Sequence, residues 1–328
     1  MKAHQIIPET ELWSVLDSSK IQTYLDCGRK YLFEHVLGWR RAEGSDLHKE
    51  FGTAAHAAME VLMTEGYTAA ACTKAFDIFL RHYRQFFPAE ADELNKPKTP
   101  ENFLRALAQY CLRYAPADAS LKVLHVEVAG TVPLAPDKAI YFKMDTIARG
   151  EQGFLSLEHK TSSRFSDLWE ADWRQKVQTG TYNHVLYCLF PPNEVYGVII
   201  NGIFLHEPPR IKRNGEPYAD AKDNEFHRIP VRMTPEQMEG WRVDVLSYMA
   251  DIERDHVRLQ LVDEGDPQMP AFRRNRQSCT RYGVCPYLNI CSTTQNPLSV
   301  AAKPPAIFEI SHWDPRNIPT VKERMTLT

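Results

Sequence analysis

Residues 141–162 read YFKMDTIARGEQGFLSLEHKTS, and two β-type runs meeting at a polar turn decide the fold class. Branched, aliphatic and aromatic residues fill 139–149 and 153–160, with the RGEQG of 149–153 as the turn between them. A similar run over 121–134 joins the first through the APDK of 135–138. Such side chains pack well on a pleated surface, and Pro, Gly and Asp punctuate it, so the three runs predict an antiparallel meander.

Outward from the meander the period becomes helical. Upstream, Ser18 or Ser19 can cap a segment running to about Leu37, and helical patterns cover 47–64, 68–87 and 100–114. Downstream, a helix from about 171 to 189 stops before Pro191 and Pro192, and VYGVIINGIFLH (195–206) predicts another strand. Residues 207–224 are polar and rich in Pro, Gly and Asn, which predicts a hairpin or loop. Thr234, Pro235 and Gln237 then supply a cap, an N1 proline and a capping-box partner for a helix reaching about Leu261. The order predicts an α/β core preceded by helices. The expected units are a helical region at 1–118, a core at 119–262, a cysteine-bearing segment at 263–296 and a Pro-containing tail at 297–328.

With 328 residues, 43% hydrophobic and 25% charged, the chain can bury a substantial core. A net charge of −3 excludes a generally basic polymer binder, so any nucleic-acid site is a local patch. No basic start precedes an apolar run and no stretch nears 18 apolar residues, so the expectation is a cytoplasmic protein without a membrane partner. No G-x-x-x-x-G-K-[ST] phosphate loop is present, so DNA unwinding would come from another protein.

Asp145 lies late in one expected strand, with Glu158 and Lys160 at the end of the next. Neighbouring strands bring such carboxylates side by side, and a period of two puts 158 and 160 on one face. Carboxylates so placed suit Mg²⁺ or Mn²⁺, which can lower the pKa of a bound water and stabilise charge on a phosphodiester, while Lys160 neutralises phosphate or positions the water. Taken alone, the acid and the Glu-x-Lys are equally a strand end and a surface ion pair. His56 sits in FGTAAHAAME, where Gly52, Ala54, Ala55, Ala57 and Ala58 keep the helix slim enough for an imidazole to complete a metal site. Gln178 and Tyr182, at i and i+4, share one helix face and can order the lysine.

In order and spacing the chain resembles the RecB-like branch of the PD-(D/E)xK nucleases, a family that includes the AddB nuclease domain and CRISPR-associated and phage exonucleases. The resemblance covers about 18–291 and rests on Ser19, Tyr24 and Cys27, on Gly52-Thr53-x-x-His56, on Asp145, on Glu158-x-Lys160 and on Gln178-x-x-x-Tyr182. It implies a restriction-endonuclease-like core, a central mixed sheet flanked by helices, and a metal-dependent DNA exonuclease of end processing, recombination or repair in a bacterial or phage-infected cytoplasm. It further implies that His56, Asp145, Glu158 and the His159 backbone carbonyl hold metal, that Lys160 is catalytic, and that Gln178 and Tyr182 support the site. Phe142 stands where the family commonly has glycine.

The family also binds a four-iron four-sulfur cluster through one N-terminal and three C-terminal cysteines, which correspond here to Cys27 and to Cys279, Cys285 and Cys291. Their C-x5-C-x5-C spacing differs from the family's C-x2-C-x5-C, and zinc would accept the same four ligands. Cys72, Cys111 and Cys188 sit in apolar patterns and are expected to pack. Arg273, Arg274, Arg276 and Arg281, interleaved with Phe272, Tyr282 and Tyr287, suit a DNA strand whose bases stack on the rings, or else a solvated charged face; Arg164, Trp169, Trp173, Arg174 and Lys176 flank the catalytic helix in the same way. Two other readings remain open: a non-catalytic DNA-binding scaffold of the same fold, which the intact acid, lysine and histidine set disfavours, and a CRISPR-type adaptation nuclease acting with an integrase. A helicase or recombinase is the other kind of partner expected.

Overall fold

The meander forms with the expected turns: β2 (Lys122–Ala135), β3 (Lys138–Gly150) and β4 (Gly153–Ser162) follow β1 (Trp39–Arg41) in the chain. β2 pairs with β3 and β3 with β4, both antiparallel. The structure, a computed structural model, describes all residues except 8, 43, 45, 208–221, 282 and 328. Most of the expected 207–224 loop, and Tyr282, therefore lie outside the described residues.

Among the described residues six strands form one sheet in the order β6-β5-β4-β3-β2-β8, with β5 (Val195–Phe204) parallel to β4 and β6 (Glu225–Val231) antiparallel to β5. This is the expected mixed sheet between helices. Two of its strands were not expected: β6, which follows the polar loop, and β8 (Glu323–Thr326), which returns from the tail to run parallel to β2. Gly130 of β2 makes that return possible, because a Cβ there would stand 1.8 Å from the Met325 carbonyl oxygen. The tail also supplies β7 (Phe308–Ile310), which pairs with β1.

Each sheet face is covered by helices, and the first expected helix is capped by Asp17, which accepts from the Lys20 amide, rather than by Ser18 or Ser19. Asp46 accepts from the His48 and Lys49 amides at the start of Leu47–Glu65, and Thr99 caps Pro100–Tyr114 with proline at its first position. With Ala69–Tyr83 these helices pack Phe51, Phe79 and Phe103, all fully buried, against the Ala148, Leu155 and Leu157 face. Each such ring contributes about 2 kcal/mol by leaving water. The opposite face carries Val177–Leu189, Pro235–Gln260 and the N-terminal helices.

Two expected helices are broken, each beside a predicted site residue. The 18–37 segment divides at Cys27, whose extended backbone (φ −167°, ψ 115°) separates Ser18–Asp26 from Gly28–Tyr31, and the remainder loosens to a π-helical turn over Leu32–Val36. The 171–189 segment is instead two helices, Asp167–Gln175 and Val177–Leu189, joined by an extended Lys176. Thr179 Oγ1 donates to the Trp173 and Lys176 carbonyls, which satisfies backbone acceptors the break leaves open.

Candidate active site

The pairing of β3 with β4 stops at Thr146 and Leu157, although β2 stays paired with β3 to Lys138 and β4 with β5 to Ser162. The sheet therefore forks where Asp145 leaves one branch and Glu158 the other. Both carboxylates are buried, at 6% and 2% exposure, which is costly for a charge unless something pairs with it.

Asp145 is held from two sides. Its Oδ1 lies 3.1 Å from His56 Nδ1, delivered by the Ala-rich helix whose Ala54, Ala55 and Ala58 are buried, and its Oδ2 accepts from the His159 backbone N–H at 2.9 Å. Burial works against ionisation of Asp145, but the His56 imidazole outweighs it and holds the carboxyl well below its usual range. Reciprocally, burial alone would lower His56, and Asp145 raises it.

Glu158 is tied to the helical face beneath it. Lys160 Nζ donates to Glu158 Oε1 at 2.6 Å and Gln178 Nε2 to the same oxygen at 3.2 Å. Gln178 Nε2 also reaches the Tyr182 hydroxyl at 2.8 Å, and that hydroxyl donates to the Lys143 carbonyl of β3. The Gln-x-x-x-Tyr pair thus spans the fork from β4 to β3, and the break at Lys176 places Gln178 in the first turn of its helix. Glu158 Oε2 is buried without a hydrogen-bond partner, and burial, with Asp145 nearby, pushes the group up to about 7. Hard oxygen donors plus one imidazole, with a buried carboxylate oxygen left over, fit Mg²⁺ or Mn²⁺.

The sequence profile of the PD-(D/E)XK nuclease superfamily matches residues 16–292. This chain belongs to that superfamily. Comparison with curated proteins gives no match. PD-(D/E)XK nucleases usually use Mg²⁺ or Mn²⁺, in keeping with the donor set at the fork.

Sequence reasoning missed one residue of this PD-(D/E)XK site. Among the described residues the only group of three or more His, Cys, Asp or Glu donors lying within 4.8 Å of one another is His56, Glu127 and Asp145, and Glu158 is outside it. The β2–β3 register pairs Val126 with Thr146 and Val128 with Met144, which sets Glu127 across from Asp145. Glu127 is 3% exposed and its Oε2 lies 2.6 Å from Lys143 Nζ. Burial and Asp145 raise its pKa. The signal available beforehand was a charged residue inside the apolar LKVLHVEVAGTV run. Phe142, at the family's glycine position, is 4% exposed and part of the core.

Behind β4 a row of polar groups backs the site. The His159 ring faces Asn201, whose Nδ2 lies 2.8 Å from His159 Nδ1, and Arg228 Nε donates to Asn201 Oδ1 at 3.2 Å while its guanidinium forks onto Asp118. Burial depresses the His159 ring to about 3, so it is neutral.

The four expected cysteine ligands converge. Cys27, Cys279, Cys285 and Cys291 border one cavity of about 430 Å³, together with Arg29, Lys30, Arg274 and Arg276. The Asn275 amide donates to Cys27 Sγ at 3.3 Å, and Asn275 Nδ2 and Ser278 Oγ both donate to the Asp26 carbonyl, which fastens the 272–291 segment to the broken first helix. Of the other cysteines, Cys111 is buried and Cys72 half-buried, but Cys188 is exposed and does not pack as expected.

The aromatic part of the proposed strand path is corrected. Phe272 is fully buried and stacked on Tyr31, and Tyr287 is 4% exposed with its hydroxyl donating to the Trp39 carbonyl, so neither ring offers a face to a base. Of the cations there, Arg273, Arg276 and Arg281 are exposed, whereas Arg274 donates to Gln295 and to the Thr294 carbonyl. Near the lysine, Arg174 pairs with Glu170 and Lys176 with Asp172, and the ammonium groups of Lys160 and Lys176 lie 5.3 and 5.7 Å from the centre of the half-buried Trp173 ring.

Proposed function

We propose that this PD-(D/E)XK nuclease is a RecB-like, divalent-metal-dependent deoxyribonuclease that works from DNA ends. The single observation that carries the reading is the fork that presents Asp145 and Glu158 as buried carboxylates with Lys160 bound to one and His56 to the other. Asp145, Glu158, the His159 carbonyl and His56 would hold Mg²⁺ or Mn²⁺, which when bound supplies a water of lowered pKa and neutralises charge growing on phosphorus. Lys160 places a fixed positive charge beside the phosphate and the water. Gln178 and Tyr182 fix the Glu158 carboxylate between the branches and so keep Lys160 aimed. In the metal-free protein His56 helps to keep Asp145 ionised.

In this reading residues 1–118 carry Cys27 and His56, 119–262 form the nuclease core, 263–296 hold the cluster and 297–328 are the tail that adds β7 and β8. Cys27, Cys279, Cys285 and Cys291 bind a four-iron four-sulfur cluster. Tetrahedral Zn–S bonds of 2.3 Å would bring sulfurs to about 3.8 Å of one another, and the four thiols form no group of three within 4.8 Å, which favours the larger cofactor over zinc. The cationic lining of their cavity offsets the charge of four thiolates. Arg174, Lys176, Arg273, Arg274, Arg276 and Arg281 contribute phosphate contacts. A helicase, recombinase or integrase supplies the DNA end in the cytoplasm; no helix among the described residues is long and apolar enough to cross a membrane.

Digestion of end-labelled linear DNA and of circular DNA with Mg²⁺ or Mn²⁺ tests the reading. Shortening of the linear substrate with the circle intact supports it; cutting of the circle replaces end-dependence by internal cleavage, and no cutting of either removes the enzyme.

A further inference from the structure

Three polar side chains occupy neighbouring register positions across three strands. His159 of β4 is paired with Asn201 of β5, and Asn201 with Arg228 of β6. Asn201 is fully buried and His159 is 2% exposed, and the proposed function gives neither the amide nor the ring a task. Arginine can only donate, so the Asn201 atom that Arg228 Nε meets at 3.2 Å is the carbonyl oxygen. The amide nitrogen then faces His159 Nδ1 at 2.8 Å, and because it too can only donate, Nδ1 accepts. The neutral ring therefore carries its proton on Nε2, which is buried without a hydrogen-bond partner among the described residues, so nothing there competes to set the tautomer. The guanidinium that imposes this direction is itself fixed, with Nη1 and Nη2 on the Asp118 carboxylate and Nη2 also on the Tyr110 hydroxyl.

The row matters at the fork because of what the His159 main chain does. Beyond Leu157, β4 has lost β3 and keeps only β5 as a neighbour. A residue in an extended strand points its N–H and C=O to the same side, and the His159 N–H points into the fork, at Asp145 Oδ2. Its carbonyl faces the same way, so the side chain is what ties residue 159 to β5. The ring also stands against His56, perpendicular at 87° with centroids 6.4 Å apart, and so walls the imidazole that meets the other Asp145 oxygen.

We propose that Asn201 is a positioning residue of the nuclease reaction: it holds the His159 ring in its Nε2–H form and, through that ring, fixes the main chain that orients Asp145 and offers a carbonyl to the cation. The inference deepens the proposed function and rests on it for the role of the carbonyl; the place of the ring proton does not depend on it.

Two measurements on the full-length protein test this. The first is nitrogen NMR of isotope-labelled histidine without divalent metal, with the His159 signals assigned through His159→Gln. The wild type is expected to show His159 protonated at Nε2 alone, and Asn201→Asp, whose carboxylate accepts from both neighbours, is expected to bring a proton onto Nδ1. A wild-type ring protonated at Nδ1 alone, or a ring that Asn201→Asp leaves unchanged, overturns the proposal. The second is Mn²⁺ affinity by calorimetry beside Mg²⁺-dependent cleavage of linear DNA. Asn201→Leu, close in shape but unable to bond, is expected to weaken Mn²⁺ binding and lower kcat each by about 10- to 100-fold, the usual cost of losing the partner behind a ligand, with KM for DNA changed by less than about threefold. Asn201→Asp, which keeps the tie, is expected to recover most of both. Where the leucine variant does not fold, Asn201→Ser, too short to reach His159, takes its place with the same expectation. A folded variant of either kind with a lowered Tm but wild-type Mn²⁺ affinity and kcat overturns the proposal, leaves Asn201 as a packing residue and leaves the proposed function standing. A wild type that neither binds Mn²⁺ nor cuts DNA removes the proposed function and the positioning role with it, whatever the tautomer.

Discussion

The backbone N–H of His159 donates to Asp145 Oδ2 over 2.9 Å, just past the last β3–β4 pair. This bond clips the two branches of the fork together where ladder bonds have ended, and it orients Asp145 so that its other oxygen meets His56. The geometry of the carboxylates thus depends on main chain as well as side chains.

Asp145→Asn, Glu158→Gln and Lys160→Met should each slow DNA cleavage by about 10³-fold or more, since the groups act as one unit on the same phosphodiester. DNA affinity, measured by anisotropy without metal, should change by less than about tenfold. Wild-type cleavage by all three variants would show that the fork is not the active site.

Metal binding should strengthen with pH up to about 7. Glu158 is pushed up to about 7 in the metal-free protein, so below that pH a proton competes with the ion for the carboxylate, and affinity falls by about tenfold per pH unit. Calorimetry in buffers of different ionisation enthalpy should count up to about two protons released on Mn²⁺ binding at pH 6, one from Glu158 and one from His56, and fewer at pH 8. Equal proton release at both values would contradict the assignment to Glu158.

Replacing Cys27 with Ser should remove iron and acid-labile sulfide and lower stability, with the fork untouched. Cross-linking positions some 250 residues apart restricts the unfolded chain, and the loop-entropy relation for disulfides puts this on the order of 5 kcal/mol. Cys72→Ser should keep full iron content. Stoichiometric zinc without sulfide in the wild type would replace the cluster by a zinc site.

Acid should destabilise the protein through two histidines. Both ring nitrogens of His35 and of His256 are buried without hydrogen-bond partners, and burial lowers the rings to about 2 and about 3. Unfolding releases them to ordinary values near 6.5, so between about pH 6.5 and 3 the unfolded chain binds the protons and folding loses up to about 1.4 kcal/mol per pH unit for each ring. His256→Phe, which preserves stacking on Trp13, should lower that slope by one ring's share, up to about 1.4 kcal/mol per pH unit, in urea titrations from pH 7 to 5. An unchanged slope would point to other groups.

Much of this protein was legible locally. Alternation over 121–160 and the turns at 135–138 and 149–153 determined the meander, the period of two put Glu158 and Lys160 on one face, and the i, i+4 spacing put Gln178 beside Tyr182, because each depends only on backbone repeat. The helix cap at Thr234 was equally local. Tertiary structure alone decided the rest. His56 and Asp145 meet across 89 positions, Glu127 faces Asp145 through strand register, and β8 reaches β2 from the tail. Phe272 and Tyr287, which looked like a stacking surface, are buried because the 272–291 segment folds back on the first helices. The helix break at Lys176 had no proline or glycine beside it to announce it, and that at Cys27 only the following Gly28, since what stabilises each extended residue is a partner outside the helix or a side-chain bond to its freed carbonyls. A chain's repeat is written in neighbouring residues, whereas the pairing of distant segments is set by which surfaces bury one another once the core has formed.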